Sequence, residues 1–312
     1  MSGPDQSSSS ELDGVVQRVL SVYRRWGRST TVAQMRADWD ALFGSAPVTA
    51  AVEPVAIDTL QGEWILAEEA DPAKLLLYFH GGGFQVGSVH SHRELMAGLS
   101  QATGCKVLGV DYRLAPEHRY PAALEDACVA YEWLLTQQGY RPADIVFAGD
   151  SAGGNLVLAS LLKLRDGGRA LPAGAVLMSP WTDMSASGES YVTRAESDPI
   201  HQRPMILAMA RNYLGAEGDA SQPLVSPLFA DLRGLPPMLI QVGDRETVLS
   251  DSVAFAAKAT SAGVPVSLEV WDRMIHVFQQ FPEALPEARS ARKSIGAFVR
   301  SLFPTPSITR KP

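Results

Sequence analysis

The stretch Ile145-Val146-Phe147-Ala148-Gly149-Asp150-Ser151-Ala152-Gly153-Gly154-Asn155 passes from four apolar residues through a run of small ones into a helical pattern. An apolar strand of about 144–149, a tight turn and a helix of about 152–165 follow from that order of residue types. Gly149-Asp150-Ser151-Ala152-Gly153 is then a G-x-S-x-G turn between strand and helix. Small residues there let a strained backbone present a serine at the carboxyl edge of a sheet, the geometry of a nucleophile elbow. The pentapeptide alone is weak evidence, since glycine and serine are common; its place between strand and helix carries the weight.

Outward from this turn, helix and strand alternate. The continuous apolar strand Lys74–Phe79 is followed by a helix of about 92–103, which Ser91 and Glu94 would open as a capping box. Then come strand 105–111, helix 121–138 and, after the serine turn, strand 173–179. Later units are strand 237–242, helix 250–262, strand 265–271 and a terminal helix of 284–302. Short, fully apolar strands alternating with helices predict an α/β protein with a mostly parallel central sheet and helices on both faces. Before this core, the spacing of Leu12, Val15, Val16, Val19, Leu20 and Tyr23 predicts an amphipathic helix from Glu11. Thr31 with Gln34 reads as a capping box opening a second helix to about Phe43. Val52–Asp58 and Glu63–Ala67 read as strands around a Gln61-Gly62 turn. Between Trp181 and Pro236 the alternation lapses, leaving one clear helix near Pro204–Leu214. The expected organisation is therefore N-terminal helices contributing to a cap (1–50), a catalytic domain split over 51–181 and 236–312, and a cap or lid insertion (182–235).

Length and composition narrow the field further. The chain has 312 residues, enough for a sizeable core, and 27 Lys+Arg against 34 Asp+Glu, a net charge of −7 without basic blocks. Nucleic acid and anionic membranes are excluded as partners, because both need clustered cations. No run of 18 apolar residues occurs, so no membrane span is expected. Cys105 and Cys128 match no CxxC or disulfide-scaffold pattern and read as buried thiols of a reducing compartment. MSGPDQSSSS has no signal-peptide character and reads as a short disordered lead of a cytoplasmic protein.

A second glycine cluster, His80-Gly81-Gly82-Gly83-Phe84, ends the strand Lys74–Phe79. Residues without side chains let backbone N–H groups approach a ligand, as an oxyanion hole requires. A phosphate cradle fits worse, for no P-loop lysine follows and Val86 stands where a dinucleotide fingerprint needs glycine. Serine needs a base, and of six histidines only His201 and His276 follow Ser151. His201 sits between Pro199 and Pro204 in the insertion, with no sheet edge to hold it. His276 follows a strand, where a loop at the carboxyl edge can carry it to the serine, so it is the expected base. The acid belongs on the loop after strand 237–242, which offers Asp244, Glu246 and Asp251; Asp251 has a structural use at a helix start, and spacing does not choose between Asp244 and Glu246. His90 and His92 form a lone H-x-H without a third ligand, so no metal site is expected.

HGGG at 80–83, Asp111-Tyr112-Arg113-Leu114-Ala115-Pro116-Glu117-His118, Tyr120-Pro121-Ala122 and GDSAGG at 149–154 together resemble the hormone-sensitive-lipase-like group of α/β-hydrolases, over about residues 50–302. In that group the acid opens a D-P-L-R-D-E-type segment about thirty residues before the histidine. Glu246-Thr247-Val248-Leu249-Ser250-Asp251 lies on it without a gap, which implies Glu246 as the acid in place of the usual Asp. The common His-Gly-Phe is here His276-Val277-Phe278, a change expected to narrow the site beside the base.

The resemblance implies a carboxylesterase for short acyl chains, with a small-molecule ester as partner and no cofactor, while leaving lactones and acetyl esters open. Ser151 would attack, His276 relay the proton and Glu246 orient it, with the N–H groups of Gly82, Gly83 and Ala152 binding the oxyanion. Phe84, Trp181, Met205, Met209 and Phe278 are candidate pocket walls, together with Ile206, Tyr213, Trp26 and Trp39. Asp111, Arg113 and Glu117 are expected to pair and cap a long loop, and Asp150 to anchor its own. Plant gibberellin receptors resemble the same group but lack the catalytic histidine; His276 argues for an enzyme. A homodimer is left open.

Overall fold

The computed structural model describes residues 4–27 and 29–303. In order it runs α1 (Pro4–Tyr23), α2 (Val32–Phe43), β1 (Ala51–Ile57), β2 (Leu60–Leu66), β3 (Asp71–Phe79), α3 (Val89–Thr103), β4 (Cys105–Asp111), α4 (Ala122–Thr136), β5 (Ile145–Asp150) and α5 (Ala152–Asp166). It continues through β6 (Gly174–Met178), α6 (Ser190–Thr193), α7 (Arg203–Leu214), β7 (Met238–Gly243), α8 (Leu249–Ser261), β8 (Val266–Trp271) and α9 (Pro286–Leu302). The strands form one eight-stranded sheet in the order β1-β2-β4-β3-β5-β6-β7-β8. β2 is antiparallel to both β1 and β4, and every pairing from β4 to β8 is parallel. This is an α/β-hydrolase fold.

Period-two alternation within the apolar strands divides the core. Leu75, Leu77, Phe79, Ile145 and Phe147 pack with α4, α5 and α8, whereas Leu76, Tyr78, Val146 and Ala148 face α3 and α9. A third cluster joins Leu12, Val15, Val16 and Val19 of α1 to Met274, Ile275, Phe278 and Phe281. The first helix thus packs on the segment that carries His276.

Several local expectations change. The segment read as a disordered lead is helical from Pro4, a residue whose fixed φ suits a first helical turn; residues 1–3 lie outside the described residues. Helix α3 begins three residues early, because Ser88 is the N-cap and Ser91 the reciprocal partner of its capping box. Thr31 caps α2 through the Gln34 amide, while the Gln34 side chain turns to Asp38 and leaves the box half made. The β1–β2 turn is at Asp58-Thr59, with Asp58 at φ 54; Asp tolerates that left-handed conformation. Gly62 lies inside β2, where a Cβ would stand 2.4 Å from the Gly109 carbonyl oxygen. Asp111, Arg113 and Glu117 do not pair with one another. Asp111 accepts from the Val89 amide, Arg113 grips Asp126 on α4, and Glu117 meets Arg36 of α2.

Polar tethers hold the flanking segments on the sheet. Arg36 donates to the carbonyls of Gln85 (2.8 Å) and Ala115 (3.0 Å) as well as to Glu117. In the segment that follows β6, the amides of Thr182 and Asp183 both donate to Asp251 Oδ2 at 2.8 Å. Burial pushes the Asp251 carboxyl up to about 8, against the pull of those amides. The folded protein therefore keeps a proton that the unfolded chain loses near pH 4, and the associated stability is full below pH 4 and lost as pH rises through 8. Asp251→Asn abolishes this titration, so its melting temperature relative to wild type should climb from pH 5 to pH 8, by the equivalent of up to about 1.4 kcal/mol per pH unit. Melts at four pH values measure it; a flat or falling difference would refute it.

Helix α5 meets β3 backbone to backbone: a Cβ on Gly153 would lie 1.9 Å from the Phe79 carbonyl oxygen. No rotamer relieves such a contact. Gly153→Ala should cost more than about 3 kcal/mol in urea unfolding or yield no folded protein. Gly14→Ala, exposed on α1 with nothing within 4 Å of the new Cβ, should stabilise by up to about 1 kcal/mol.

Candidate active site

Ser151 stands between β5 and α5 at φ 52 and ψ −117. A non-glycine residue held there is strained, and such strain persists only where its surroundings over-determine it. Here Gly153 lies on the end of β3, the Ser151 amide donates to the Met178 carbonyl at 2.9 Å, and the Ser151 carbonyl accepts from Trp181 at 3.1 Å. The serine is thereby aimed over the carboxyl ends of β5 and β6.

Its neighbour Asp150 turns the other way, into the protein. Asp150 Oδ1 accepts from the Gly81 amide at 3.0 Å and from the Tyr78 hydroxyl at 2.5 Å, and Oδ2 is 3.5 Å from His92 Nε2. Burial opposes its ionisation, but His92 and the Tyr78 hydroxyl outweigh that and hold the carboxyl below its ordinary value. One buried carboxylate thus ties the serine turn to the start of the HGGG loop. His80 stacks on Tyr112 (centroids 4.3 Å apart, planes at 14°), its Nδ1 lies 2.8 Å from the Gly81 carbonyl, and burial pushes its pKa down to about 3. It is a neutral structural ring. Gly82 and Gly83 follow at φ 114 and 62, and their N–H groups find no acceptor among the described residues. A side chain at Gly83 would be strained by the φ of 62, and its Cβ would displace the Met209 side chain of α7, whose Sδ is 2.5 Å away.

His276 lies on the loop after β8 and Glu246 on the loop after β7. His276 Nδ1 meets Glu246 Oε2 at 2.7 Å. The other carboxylate oxygen accepts from Ser179 Oγ at 2.7 Å and from the Gly243 amide at 2.5 Å. Asp244 makes no hydrogen bond to His276 among the described residues; its Oδ1 is buried without a partner. Burial lowers the His276 pKa, but Glu246 more than offsets it, and the ring titrates above its ordinary value. His276 Nε2 is buried and has no hydrogen-bond partner among the described residues, which leaves it available to a reacting group. Val277 beside it sits at φ 49, ψ 43, a left-handed conformation that a β-branched residue adopts only under strain.

Ser151, His276, Asp150, Gly82, Gly83 and Val277 all border one cavity of about 360 Å³. Trp181, Met205, Met209, Ile206, Trp26 and Trp39 line it too. Phe84 and Phe278 do not. Phe84 is fully buried and stacks on Tyr213 at 3.9 Å between centroids, and Phe278 is buried in the cluster under α1. Both satisfy the core instead of the cavity, as does Tyr213. Sequence reading missed Val19, Tyr23 and Met35 on the wall, as well as Ser179, whose only signal is its place at the end of β6. His201, set aside as having no sheet edge to hold it, lies with its ring centroid 4.3 Å from that of His276. Among the described residues no cluster of three His, Cys, Asp or Glu side chains could hold a metal ion, and no helix is long and apolar enough to cross a membrane.

Comparison with known proteins agrees with this architecture. A family model described as alpha/beta hydrolase fold matches residues 76–280. An acetyl-hydrolase of Streptomyces hygroscopicus is 43% identical over 247 residues, covering 79% of this chain and 82% of that protein. An esterase of Acinetobacter venetianus is 40% identical over 261 residues, with 84% and 85% covered. The crystal structure of an esterase from the bacterial hormone-sensitive lipase family superposes with a TM-score of 0.90 at 42% identity, covering 97% of this chain and all of the other. The chain belongs to the α/β-hydrolase family, in its hormone-sensitive-lipase group of esterases.

Proposed function

We propose that this carboxylic ester hydrolase cleaves short-chain esters through an acyl-enzyme formed on Ser151, with His276 as general base and acid and Glu246 as the carboxylate that orients it. The observation that carries the reading is the 2.7 Å contact of Glu246 with His276 Nδ1, together with the unpartnered Nε2 at the cavity that Ser151 also borders. A carboxylate on Nδ1 fixes the tautomer whose Nε2 can take a proton from the serine, and stabilises the imidazolium that results. The ester carbonyl, attacked by Ser151 Oγ, would place its developing negative charge among the N–H groups of Gly82, Gly83 and Ala152, the last at the positive end of α5. Each such donor is worth about 2.7–4 kcal/mol of transition-state stabilisation. His276 then protonates the departing alcohol, and water completes the cycle by the reverse relay.

Short acyl chains are favoured by the cavity, whose volume of about 360 Å³ lies near the lower end of the roughly 300–1,000 Å³ usual for ligand sites. The acetyl-hydrolase relative points the same way. A series from acetyl to dodecanoyl p-nitrophenyl esters should show kcat/KM falling beyond butyrate, and Ser151→Ala should abolish turnover; a Ser151→Ala protein as active as wild type would sink the mechanism.

The raised His276 pKa sets the pH dependence. The base must be neutral, so the acid limb of kcat/KM should lie above the ordinary imidazole value of about 6.5. Glu246→Gln removes the charge that raises it, shifting the limb to lower pH while reducing kcat by about 10²–10⁴-fold. Asp244→Asn should change kcat less than about threefold. Reversal of that ranking, or an unmoved limb in Glu246→Gln, would overturn the assignment of the acid.

A further inference from the structure

His201 is a second histidine at the same cavity, and its position is tightly held. Asp198 Oδ1 accepts from the amides of Ile200 and His201, each at 2.9 Å, while Oδ2 accepts from the amide (2.8 Å) and hydroxyl (3.1 Å) of Thr247. Thr247 adjoins Glu246, so the turn bearing His201 and the loop bearing the acid are joined by one buried carboxylate. The His201 ring meets that of His276 edge to face, at 67° with centroids 4.3 Å apart, and is nine-tenths buried. Its backbone amide is bonded, yet the ring makes no hydrogen bond among the described residues; Nδ1 is sealed off, so Nε2, which is not, is the nitrogen that a ligand can reach. Burial, with His276 adding to it, pushes the ring's pKa down to about 3; a neutral imidazole offers one donor and one acceptor.

In a cavity that Tyr23, Trp26, Trp39, Met205 and Ile206 also line, an imidazole nitrogen with no protein partner is a place for a polar group of a bound ligand. The position of His276 says which part of the ligand. The alcohol oxygen of the ester has to approach His276 Nε2 to be protonated, so the carbons attached to that oxygen lie beside the ring that packs on His276. We propose that His201 is a specificity-determining residue that hydrogen-bonds a polar group, of which a hydroxyl is the best match, on the alcohol side of the substrate. The preferred substrates are then esters of diols and other hydroxylated alcohols over esters of plain alkanols. A site built to bond a hydroxyl discriminates far more strongly against the analogue lacking it than an apolar pocket does against an added methylene.

The inference rests on Ser151-dependent ester hydrolysis, and the experiment separates the two. The probes are 2-hydroxyethyl butyrate and its near-isostere propyl butyrate, read as the ratio of their kcat/KM values. Wild type should favour the hydroxyethyl ester by about tenfold or more. His201→Phe keeps an aromatic ring against His276 without nitrogen, and should bring the ratio close to one. His201→Gln, retaining a donor and an acceptor, should keep at least about a third of the wild-type ratio. A wild-type ratio at or below one overturns the proposal whether or not either variant folds. So does a His201→Phe enzyme that is slower on both esters with the ratio unchanged, since His201 would then merely position His276. Failure of the underlying mechanism would show differently, as propyl butyrate hydrolysis surviving in Ser151→Ala.

Discussion

Everything at this site depends on backbone meeting backbone where α5 leaves Ser151 and comes down on the end of β3. With a Cβ position 1.9 Å from the Phe79 carbonyl, Gly153 admits no other residue, and the contact fixes the start of α5, the φ of Ser151 and the distance between the serine turn and the HGGG loop together. Asp150 reinforces it from beneath by accepting from Gly81. The serine turn and the HGGG loop are thus one rigid unit made by neighbouring parallel strands. Preorganisation of this kind lets backbone donors act on a developing charge without rearranging during the reaction.

The rest is attached to that unit by buried carboxyl groups and one arginine. Glu246 spends its second oxygen on Ser179 and Gly243, so the imidazole is oriented by a group that is itself immobile. Asp198 couples the turn before α7 to Thr247, Asp251 couples the segment after β6 to α8, and Arg36 couples α2 to the loop around Ala115. Each joins segments far apart in sequence. An apolar interface alone tolerates sliding, whereas a carboxylate that accepts from two or more amides fixes register. The cavity wall is accordingly set from three directions: α1 and α2, the segment from Ile200 through α7, and the turns that follow β3, β5, β6 and β8.

Much of this was legible before any coordinates. The sheet and its helices follow from apolar runs of strand length alternating with helical spacing, and the serine turn from small residues at the junction. Turn and cap positions slipped by about three residues at Ser88 and at Asp58, because several nearby residues have compatible chemistry and tertiary packing chooses among them. Phe84 and Phe278, which stand next to the HGGG run and close to His276 in sequence, turn into the core. His201 was harder still. Its approach to His276 arises from the hydrogen bonds of Asp198 to Thr247, 49 residues away, and no periodicity or local spacing encodes a contact of that kind.

By itself the sequence determined the fold class, the order of the sheet-forming units and the two glycine turns, since those rest on local periodicity and on the lack of a side chain at defined positions. Spacing left Glu246 and Asp244 open and only the resemblance favoured Glu246, which is the one that meets His276; tertiary structure alone decided that Phe84 and Phe278 turn into the core and that His201 reaches the cavity. Those outcomes turn on the paths of loops, and a loop's path is set by its anchoring to distant elements, at separations where neither propensity nor spacing carries information.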